Sequence, residues 1–442
     1  MLIRFTVKNF ASFSEEQTLS MVKSRASLLP SHINEDKSGE FQTLRGAVIY
    51  GANASGKSNL VDAIHFARNA ILDDNKSNKD TSFKLSDETK GQPSSFNFEF
   101  KIEGEAFSYG FESQRRIINR EWLYKIKRHS DVDTLIFERE KKNGEKANIR
   151  FGEIKNNGNT LNDDEKFALK TIAEGTPDNA LFLNDAKRRN LKYFIKPLRW
   201  FEEKLLIIQT ESEQFQLGLE VMLVNDKDFS DFLNKLLQSA DTGVHKVEFE
   251  NFDNKTTKVL SQEILEQIGG SLAEGVSALI VNGSKRILII KEGGEIKTKR
   301  LVTFHKDKSG SDIRFELDEE SDGTLRLIEF APAFFDKNTL DRVLVIDELD
   351  RSLHPAITEM FHNAHYNSTE RRNSQLILAT HEHYLLSQKF YRRDEIWFVE
   401  KDKYGQSSLY SLNEYKGKRY NKDVQKDYLL GRYGATPHVR EL

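Results

Sequence analysis

Apolar and polar positions alternate with two different periods along the chain, and together these periods predict an α/β fold. Residues 2–10 alternate between apolar and polar side chains, which is typical of a half-buried strand. Short apolar runs at 45–50, 342–346 and 375–379 predict buried strands. After the first of these runs, apolar positions recur at helical spacing to about residue 72, so a strand, a turn and a helix follow one another there.

The middle of the chain has a different pattern. Two alternating segments around a Glu-Gly-Glu turn predict a hairpin at 95–111. From about 155 to 290 helical periodicity dominates, as at 228–239, where the Phe and Leu residues share one face. Strands return after residue 286. We therefore predict an N-terminal half of the α/β domain at 1–154, a mainly helical insertion at 155–290 and a C-terminal half at 291–442.

A glycine-rich stretch follows the strand at 45–50 and contains the complete pattern Gly-x-x-x-x-Gly-Lys-Ser. Its glycines allow a ligand to approach closely, while the loop N–H groups and the helix N-terminus supply partial positive charge. Lys57 is predicted to reach the β- and γ-phosphates of a nucleotide, and the Ser58 hydroxyl to ligate Mg²⁺. The predicted nucleotide-binding residues are Gly51, Asn53, Ala54, Ser55, Gly56, Lys57, Ser58 and Asn59. A chance match is the alternative, and the flanking strand and helix argue against it.

Two carboxylates follow the apolar run at 342–346, in the arrangement of a Walker B strand. Asp347 is predicted to bind Mg²⁺ opposite Ser58, and Glu348 to act as the general base that polarises the attacking water. The alternative is a strand that ends in a solvated acidic turn, and the phosphate loop upstream makes that reading weaker.

Two further features complete a candidate site. His381 follows the apolar run at 375–379, and ligands of open α/β sheets bind at the carboxyl ends of the strands. We predict that it contacts the γ-phosphate, with a purely structural histidine as the alternative. Ser321 and Gly323 lie in a turn before a predicted helix, where they would form a second anion site with Thr324 as the helix N-cap. A turn without a ligand is the alternative.

Composition restricts the class of protein. Charged residues make up 31% and hydrophobic residues 38% of the chain, and the net charge of -3 does not indicate a nucleic-acid binder. The chain has no cysteine, which excludes disulfides, thiolate metal sites and cysteine nucleophiles. The N-terminal residues lack the apolar core of a signal peptide, and no apolar run reaches the length of a membrane span. We therefore expect a cytoplasmic protein without membrane contact.

In the order of these motifs the chain resembles ABC-type ATPases. The large insertion that separates the two halves is similar to the arrangement in the SMC-like branch of these ATPases. More narrowly, it is similar to compact ATPases of bacterial abortive-infection and phage-defence operons, such as the RloA type, the AbiL type and the ATPase subunit of the PARIS system. The stretches that carry this resemblance are 5–13, 51–59, 347–355 and 428–437. It covers about residues 1–110 and 300–442.

The resemblance implies a dimer, or a higher homo-oligomer, in which two heads sandwich two ATP molecules. The phosphate loop of one subunit would face the turn at 321–324 of the other, and His381 would be the switch histidine. It also implies a slow ATPase that senses a phage trigger protein and restrains or releases a separate effector. That effector would be encoded by a neighbouring gene, often as a TOPRIM-type nuclease.

The sequence departs from the family in several places. The signature turn reads Glu-Ser-Asp-Gly-Thr where transporters have Leu-Ser-Gly-Gly-Gln, so slow turnover is expected. No Q-loop glutamine is assigned, although Gln92 lies near the region expected for one. Asn9 and Phe10 would border the base, or else belong to a turn and the core.

DNA binding is the basis of a rival interpretation. Short basic clusters occur at 115–116, 187–189, 371–372, 392–393 and 416–419. Interleaved acidic residues favour a solvated surface. If the clusters form a groove instead, the protein would be a DNA-clamping ATPase of DNA repair or chromosome maintenance.

Overall fold

The computed structural model has a mixed α/β architecture. It describes the 442-residue chain except for residues 35–41, 74–80, 116, 128–131, 142–146, 153, 157–158, 210–212, 252–267, 269, 271, 274–276, 283–284, 336–339, 369–372, 416–422 and 437–442.

The described part of the chain contains both strands and helices. The strands are β1 Leu2–Lys8, β2 Gln17–Ser20, β3 Gly46–Tyr50, β4 Ser94–Ile102, β5 Glu105–Gln114, β6 Ile117–Lys125, β7 Thr134–Glu140, β8 Asn148–Phe151, β9 Lys155–Asn156, β10 Asn159–Thr160, β11 Leu205–Ile208, β12 Val244–Asn251, β13 Ser277–Asn282, β14 Lys285–Glu292, β15 Glu295–Lys306, β16 Asp312–Glu316, β17 Val343–Asp347, β18 Gln375–Ala379, β19 Ile396–Lys401 and β20 Ser407–Ser411. The helices are α1 Lys57–Leu72, α2 Asp163–Glu174, α3 Phe182–Arg188, α4 Ile195–Arg199, α5 Glu213–Asn225, α6 Lys227–Ser239, α7 Asp322–Phe334, α8 Pro355–Asn367 and α9 Val424–Leu429.

The chain forms two compact units. The first contains residues 1–209, 340–350 and 365–442, and the second contains 210–339 and 351–364. Residues 155–209, which we assigned to the insertion, thus belong to the first compact unit. The reason is local packing, because Trp200 is fully buried and stacks on Phe100 of β4 with ring centroids 4.4 Å apart. The compact units are defined by contacts, and the domain boundaries at 154 and 290 stay a prediction.

A seven-stranded antiparallel sheet forms one layer of the first unit, in the order β2-β1-β4-β5-β6-β7-β8. Its alternating strands bury one face, as Phe96, Phe98 and Phe100 of β4 show. Strands β4 and β5 form the hairpin that the sequence predicts, and β4 also pairs with β1.

A six-stranded sheet forms the other layer, in the order β11-β17-β18-β3-β19-β20. Its strands run parallel except for β20, which is antiparallel to β19. Every residue of β3, β17 and β18 is buried, as expected for parallel strands that are covered on both faces. Helix α1 contacts β17 and β18, and its Leu60 and Ile64 belong to the same apolar core as Phe5 of the other sheet.

One buried glutamine connects the two sheets of the first unit. Gln375 of β18 is fully buried, and its Oε1 accepts a hydrogen bond from the Leu2 N–H at 2.5 Å. Its Nε2 donates to the carbonyls of Leu2 and Leu44 at 3.0 and 2.9 Å. One side chain therefore hydrogen-bonds three backbone groups, of which the Leu44 carbonyl also accepts a longer bond from Asn34 Nδ2 at 3.4 Å.

The second unit combines helices with a sheet. Strands β12, β15, β14 and β13 pair in that order, and β16 also pairs with β15. Helix α6 buries Phe229, Leu233, Leu236 and Leu237 along one face, as its periodicity predicts. Strands β12 and β13 lie within the segment that we predicted to be mainly helical. The partner of β12 is β15, which begins only at Glu295, so a local pattern does not reveal that pairing. Strand β13 pairs with β14, which begins three residues after β13 ends.

None of the helices in the described ranges combines the length and the apolarity that crossing a bilayer requires.

Replacing Gln375 by Ala is expected to lower the free energy of unfolding by about 2 kcal/mol, because it removes three hydrogen bonds to buried backbone groups. Chemical denaturation measured by intrinsic fluorescence tests this. Gln92→Ala, at an exposed position, is the matched control and should change stability by less than about 0.5 kcal/mol. Equal stability of the two variants would contradict the role of Gln375.

Candidate functional site

The carboxyl ends of three parallel strands meet at one edge of the six-stranded sheet. Asp347 at the end of β17 lies opposite Ala379 at the end of β18, and Ala379 lies opposite Ile49 of β3. The residues that follow each strand therefore emerge side by side. These are the phosphate loop, Glu348 and His381, which the sequence assigned to one site.

The glycine-rich loop has the backbone that its glycines permit. Gly56 has φ of 117° at the start of α1, and Ala54 has φ of 60°. A Cβ atom on Gly51 would lie 2.4 Å from the Val399 carbonyl oxygen, so any larger residue would displace the loop. Asn53 and Ala54 are exposed at the tip of the loop.

Lys57 lies inside the loop and not in solvent. Its side chain is buried, and Nζ donates hydrogen bonds to the carbonyls of Gly51 and Ala52 at 2.8 and 3.1 Å. Nζ also lies 3.5 Å from Nδ1 of His381. The two predicted phosphate-contacting side chains are therefore neighbours.

Opposite charges share this buried space. Burial lowers the pKa of Lys57 to about 8, and nearby carboxylates oppose that shift. These carboxylates are Asp347, Asp350 and Glu348. Burial likewise raises the pKa of Asp347 to about 6, and a hydrogen bond from Ser58 opposes that rise. Burial thus disfavours the charged form of both groups without neutralising either one near pH 7, and a ligand that carries phosphate and a cation would stabilise their charged forms.

The Ser58–Asp347 pair fits a magnesium ion. Asp347 accepts a hydrogen bond from the Ser58 side chain, and its buried Oδ1 has no hydrogen-bond partner among the described residues. A hydroxyl and a carboxylate are hard oxygen ligands, and Mg²⁺ typically uses one or two such groups together with waters and phosphates. The described ranges contain no group of three or more His, Cys, Asp or Glu side chains that could hold a metal. Ser58 and Asp347 are thus the residues that would hold the ion.

Glu348 has an unusual backbone conformation. Its φ is 52°, in the left-handed region, and its N–H donates to the Ala379 carbonyl at 3.0 Å. A residue with a Cβ pays about 1 kcal/mol or more for this conformation, and such strain occurs most often at functional sites. The bond to β18 holds Glu348 at the sheet edge directly after Asp347.

His381 is anchored by a carboxylate that the sequence analysis did not assign. The Asp350 Oδ2 accepts a hydrogen bond from the His381 N–H at 3.1 Å. Although His381 is exposed, partial burial and then the charge of Lys57 lower its pKa, which favours the neutral imidazole. Asp350 lies two residues after the predicted base Glu348, and this closeness was the one feature of the sequence that could have pointed to it.

A glutamine that the sequence analysis missed also lies at this edge. Ile208 of β11 pairs with Ile346, so Gln209 follows its strand beside Asp347. The Gln209 Nε2 donates to Asp62 Oδ1 at 2.6 Å, and Asp62 lies one helical turn after Ser58. We had included the residues before Gln209 in a helical segment. Their four-residue apolar run, Leu205–Ile208, is the signal for the strand.

Gln92 lies elsewhere in the first unit, in the loop before β4, where its carbonyl accepts a hydrogen bond from Asn9. Asn9 is buried, and its side chain hydrogen-bonds that loop, between Phe83 and Pro93. Phe10 packs against Phe66 with ring centroids 5.6 Å apart. Asn9 and Phe10 thus belong to a turn and the core.

The predicted signature turn belongs to the second unit. Ser321 is the N-cap of α7, because its Oγ accepts a hydrogen bond from the Thr324 N–H at 3.2 Å. We had predicted Thr324 as the cap, and this was wrong: Thr324 is the third residue of the helix. Gly323 lies where a Cβ would come within 2.8 Å of the Ser352 carbonyl oxygen. The role of Ser321 and Gly323 at a nucleotide remains a prediction.

Two of the basic clusters make internal contacts. Arg392 is fully buried, forms an ion pair with Asp394 at 2.9 Å and donates to the carbonyls of Ala26 and Leu28. Arg393 donates to two further backbone carbonyls. Ion pairs also engage the cluster at 187–189, namely Lys187 with Glu202 and Arg189 with Asp185. The clusters at 371–372 and 416–419, and Arg116, lie outside the described residues.

ATP affinity is expected to fall as the pH rises above about 8, because the free Lys57 ammonium loses its proton near that pH. Phosphate stabilises the charged form, so binding above this pH requires proton uptake and becomes weaker. Calorimetric titration with ATP and Mg²⁺ on both sides of this pH measures the effect. Lys57→Arg, which stays protonated, should abolish the decline. A decline of equal size in that variant would contradict the assignment.

Comparisons with known proteins agree with a nucleotide-binding fold. A family described as "AAA domain, putative AbiEii toxin, Type IV TA system" matches residues 47–387. No sequence among the curated proteins matches this chain.

Two solved structures are similar over most of the chain. The SMC head domain from Thermotoga maritima is 14% identical with a TM-score of 0.37, over 93% of this chain and 98% of that one. An SmcHead bound to the C-winged helix domain of ScpA is 12% identical with a TM-score of 0.41, over 93% and 97%. The family match spans more than half of the chain, from β3 to beyond His381. This protein therefore belongs to the AAA-domain family described as putative AbiEii toxin of type IV toxin–antitoxin systems.

Proposed function

We propose that this protein binds ATP with Mg²⁺ and hydrolyses it slowly, to ADP and phosphate. The observation that carries this proposal is the convergence of the phosphate loop, Asp347, Glu348 and His381 at one edge of a parallel sheet. Membership of an AAA-domain family supports an ATPase.

Each residue has a distinct role in the proposed reaction. The loop N–H groups and Lys57 bind the phosphates, and Ser58 and Asp347 would hold a Mg²⁺ ion, which would neutralise phosphate charge. The Glu348 carboxylate accepts a proton from the attacking water. The neutral His381 imidazole, held through its backbone by Asp350, contacts the γ-phosphate.

Gln209 is added to this set as a residue that positions water or the ion, because it follows β11 beside Asp347. We propose it as the Q-loop glutamine, a position that the sequence analysis left unassigned.

We further propose that two chains enclose two ATP molecules. In this arrangement Ser321 and Gly323 of one chain bind the nucleotide held by the phosphate loop of the other. The N-terminus of α7 supports this role, because its first N–H groups and its dipole favour an anion. Mutual completion of the two sites would make hydrolysis depend on assembly.

The biological role that we propose is anti-phage defence. The protein would sense a phage component and restrain or release a separate effector from a neighbouring gene, as a dimer or a larger homo-oligomer. The family description, which names a putative AbiEii toxin, supports a role of this kind. Arg392 and Arg393 donate hydrogen bonds to backbone carbonyls, so this basic cluster does not support the alternative of a DNA-clamping ATPase. Loss of phage protection in cells carrying Lys57→Ala would support the defence role, and unchanged protection would contradict it.

Glu348→Gln should lower ATP turnover by at least about a hundredfold while leaving ATP binding intact, because the amide keeps the shape of the side chain but not its basicity. In the same variant, ATP and Mg²⁺ should hold a larger assembly together in light scattering. Lys57→Ala should weaken ATP binding itself. Normal turnover by the Glu348→Gln protein would contradict the assignment of the base.

Mixing two inactive variants tests whether the site is shared between chains. Lys57→Ala removes the phosphate contact, and Ser321→Arg blocks the proposed signature site. An equal mixture should regain about a quarter of the wild-type turnover, because half of the dimers are mixed and each has one intact site. Turnover no higher than that of the separate variants would contradict a shared site.

A further inference from the structure

Three segments distant in sequence meet behind the phosphate loop through a chain of side-chain hydrogen bonds. Ser407 is fully buried at the start of β20, and its Oγ lies 2.5 Å from the Ser55 carbonyl oxygen and 2.7 Å from Ser12 Oγ. Asn59 Nδ2 donates to Ser12 Oγ at 2.7 Å. The Ser407 N–H also donates to the Ser12 carbonyl at 2.8 Å. We call the side chains of Asn59, Ser12 and Ser407 the serine relay.

The chemistry of the groups fixes the direction of the serine relay. The Asn59 amide N–H only donates, and the Ser55 carbonyl only accepts. Since each hydroxyl carries one proton, Ser407 gives its proton to the Ser55 carbonyl. Ser12 then donates to Ser407 and accepts from Asn59. Every group in this buried chain is satisfied, and each bond polarises the next one.

The end of the relay controls one peptide of the phosphate loop. In a trans peptide the C=O and the following N–H point in opposite directions. Holding the Ser55 carbonyl against Ser407 therefore turns the Gly56 N–H away from the relay. A Cβ on Gly56 would lie 2.5 Å from Ser407 Oγ and 2.8 Å from Ser12 Oγ, so this backbone rests directly on the two hydroxyls.

We propose that Ser407 and Ser12 are positioning residues that orient the Ser55–Gly56 peptide for phosphate binding. They act through the loop backbone, and Ser407 is the residue that contacts that backbone. Without the relay, the Ser55 carbonyl can rotate toward the bound phosphate, where it repels negative charge. The inference rests on the nucleotide binding proposed above.

Calorimetric ATP and ADP affinities of Ser407→Ala, Ser12→Ala and the double variant test this proposal. Ser407→Ala should weaken binding of both nucleotides about tenfold, and Ser12→Ala about threefold, since it leaves the Ser407–Ser55 bond in place. The double variant should resemble Ser407→Ala, because Ser12 acts on the loop through Ser407 and its loss adds nothing once Ser407 is replaced. KM should rise more than kcat falls. Ser408→Ala, the exposed neighbour on β20, is the control and should bind like wild type.

The outcomes separate the relay from the proposed function. If the wild-type protein binds no ATP, the proposed function fails. If wild type binds and Ser407→Ala binds equally well, only the relay is overturned. A merely structural role would lower the melting temperature of the free protein without changing the nucleotide affinity of the folded fraction, and that result also overturns the proposal. If Ser407→Ala does not fold, Ser12→Ala decides on the same criteria.

Discussion

Parallel pairing of β18 between β17 and β3 is the constraint on which the site depends. The register places Asp347, Ala379 and Ile49 in one row, so three loops distant in sequence start at the same height. Gln375 anchors the other end of β18 to the antiparallel sheet through Leu2 and Leu44. The strand that precedes His381 is thus fixed at its start by a buried amide and at its end by pairing with β17 and β3.

Burial then sets the electrostatics of this edge. Lys57 and Asp347 both lie out of water, and their pKa values move toward each other, to about 8 and about 6. Neither charge is strongly stabilised by the protein alone. A phosphate with its cation supplies the missing partners for both, which favours ligand binding without a large cost from desolvating new groups. Glu348, which has a left-handed backbone conformation, is held directly after Asp347 by its N–H bond to the Ala379 carbonyl of β18.

The chemistry of the site could be predicted from the sequence wherever one short segment carries it. The phosphate loop, Asp347 with Glu348, and His381 each follow a recognisable apolar strand, and the structure brings them together. Residues whose role depends on distant partners were not predictable in this way. Gln209 follows a strand of only four residues, and Ser407 becomes informative only once β20 lies behind the loop.

The sequence pattern alone was misleading for one basic cluster and for two strands. Arg392 has the appearance of a surface basic residue, but its charge is matched internally by Asp394. Strand β12 was missed because it pairs with β15, which follows much later in the chain. Strand β13 was missed because the helical periodicity assigned to 155–290 was extended over a segment that pairs with the next strand, β14.

The most direct test of the central claim is the gain in ATP affinity that Mg²⁺ provides, measured for wild type and Ser58→Ala by titration with and without the metal. We predict that the variant keeps the metal-free affinity and loses most of the gain, because the hydroxyl beside Asp347 is missing. Retention of the full gain would show that Ser58 and Asp347 do not hold the ion together, and would contradict the proposed site.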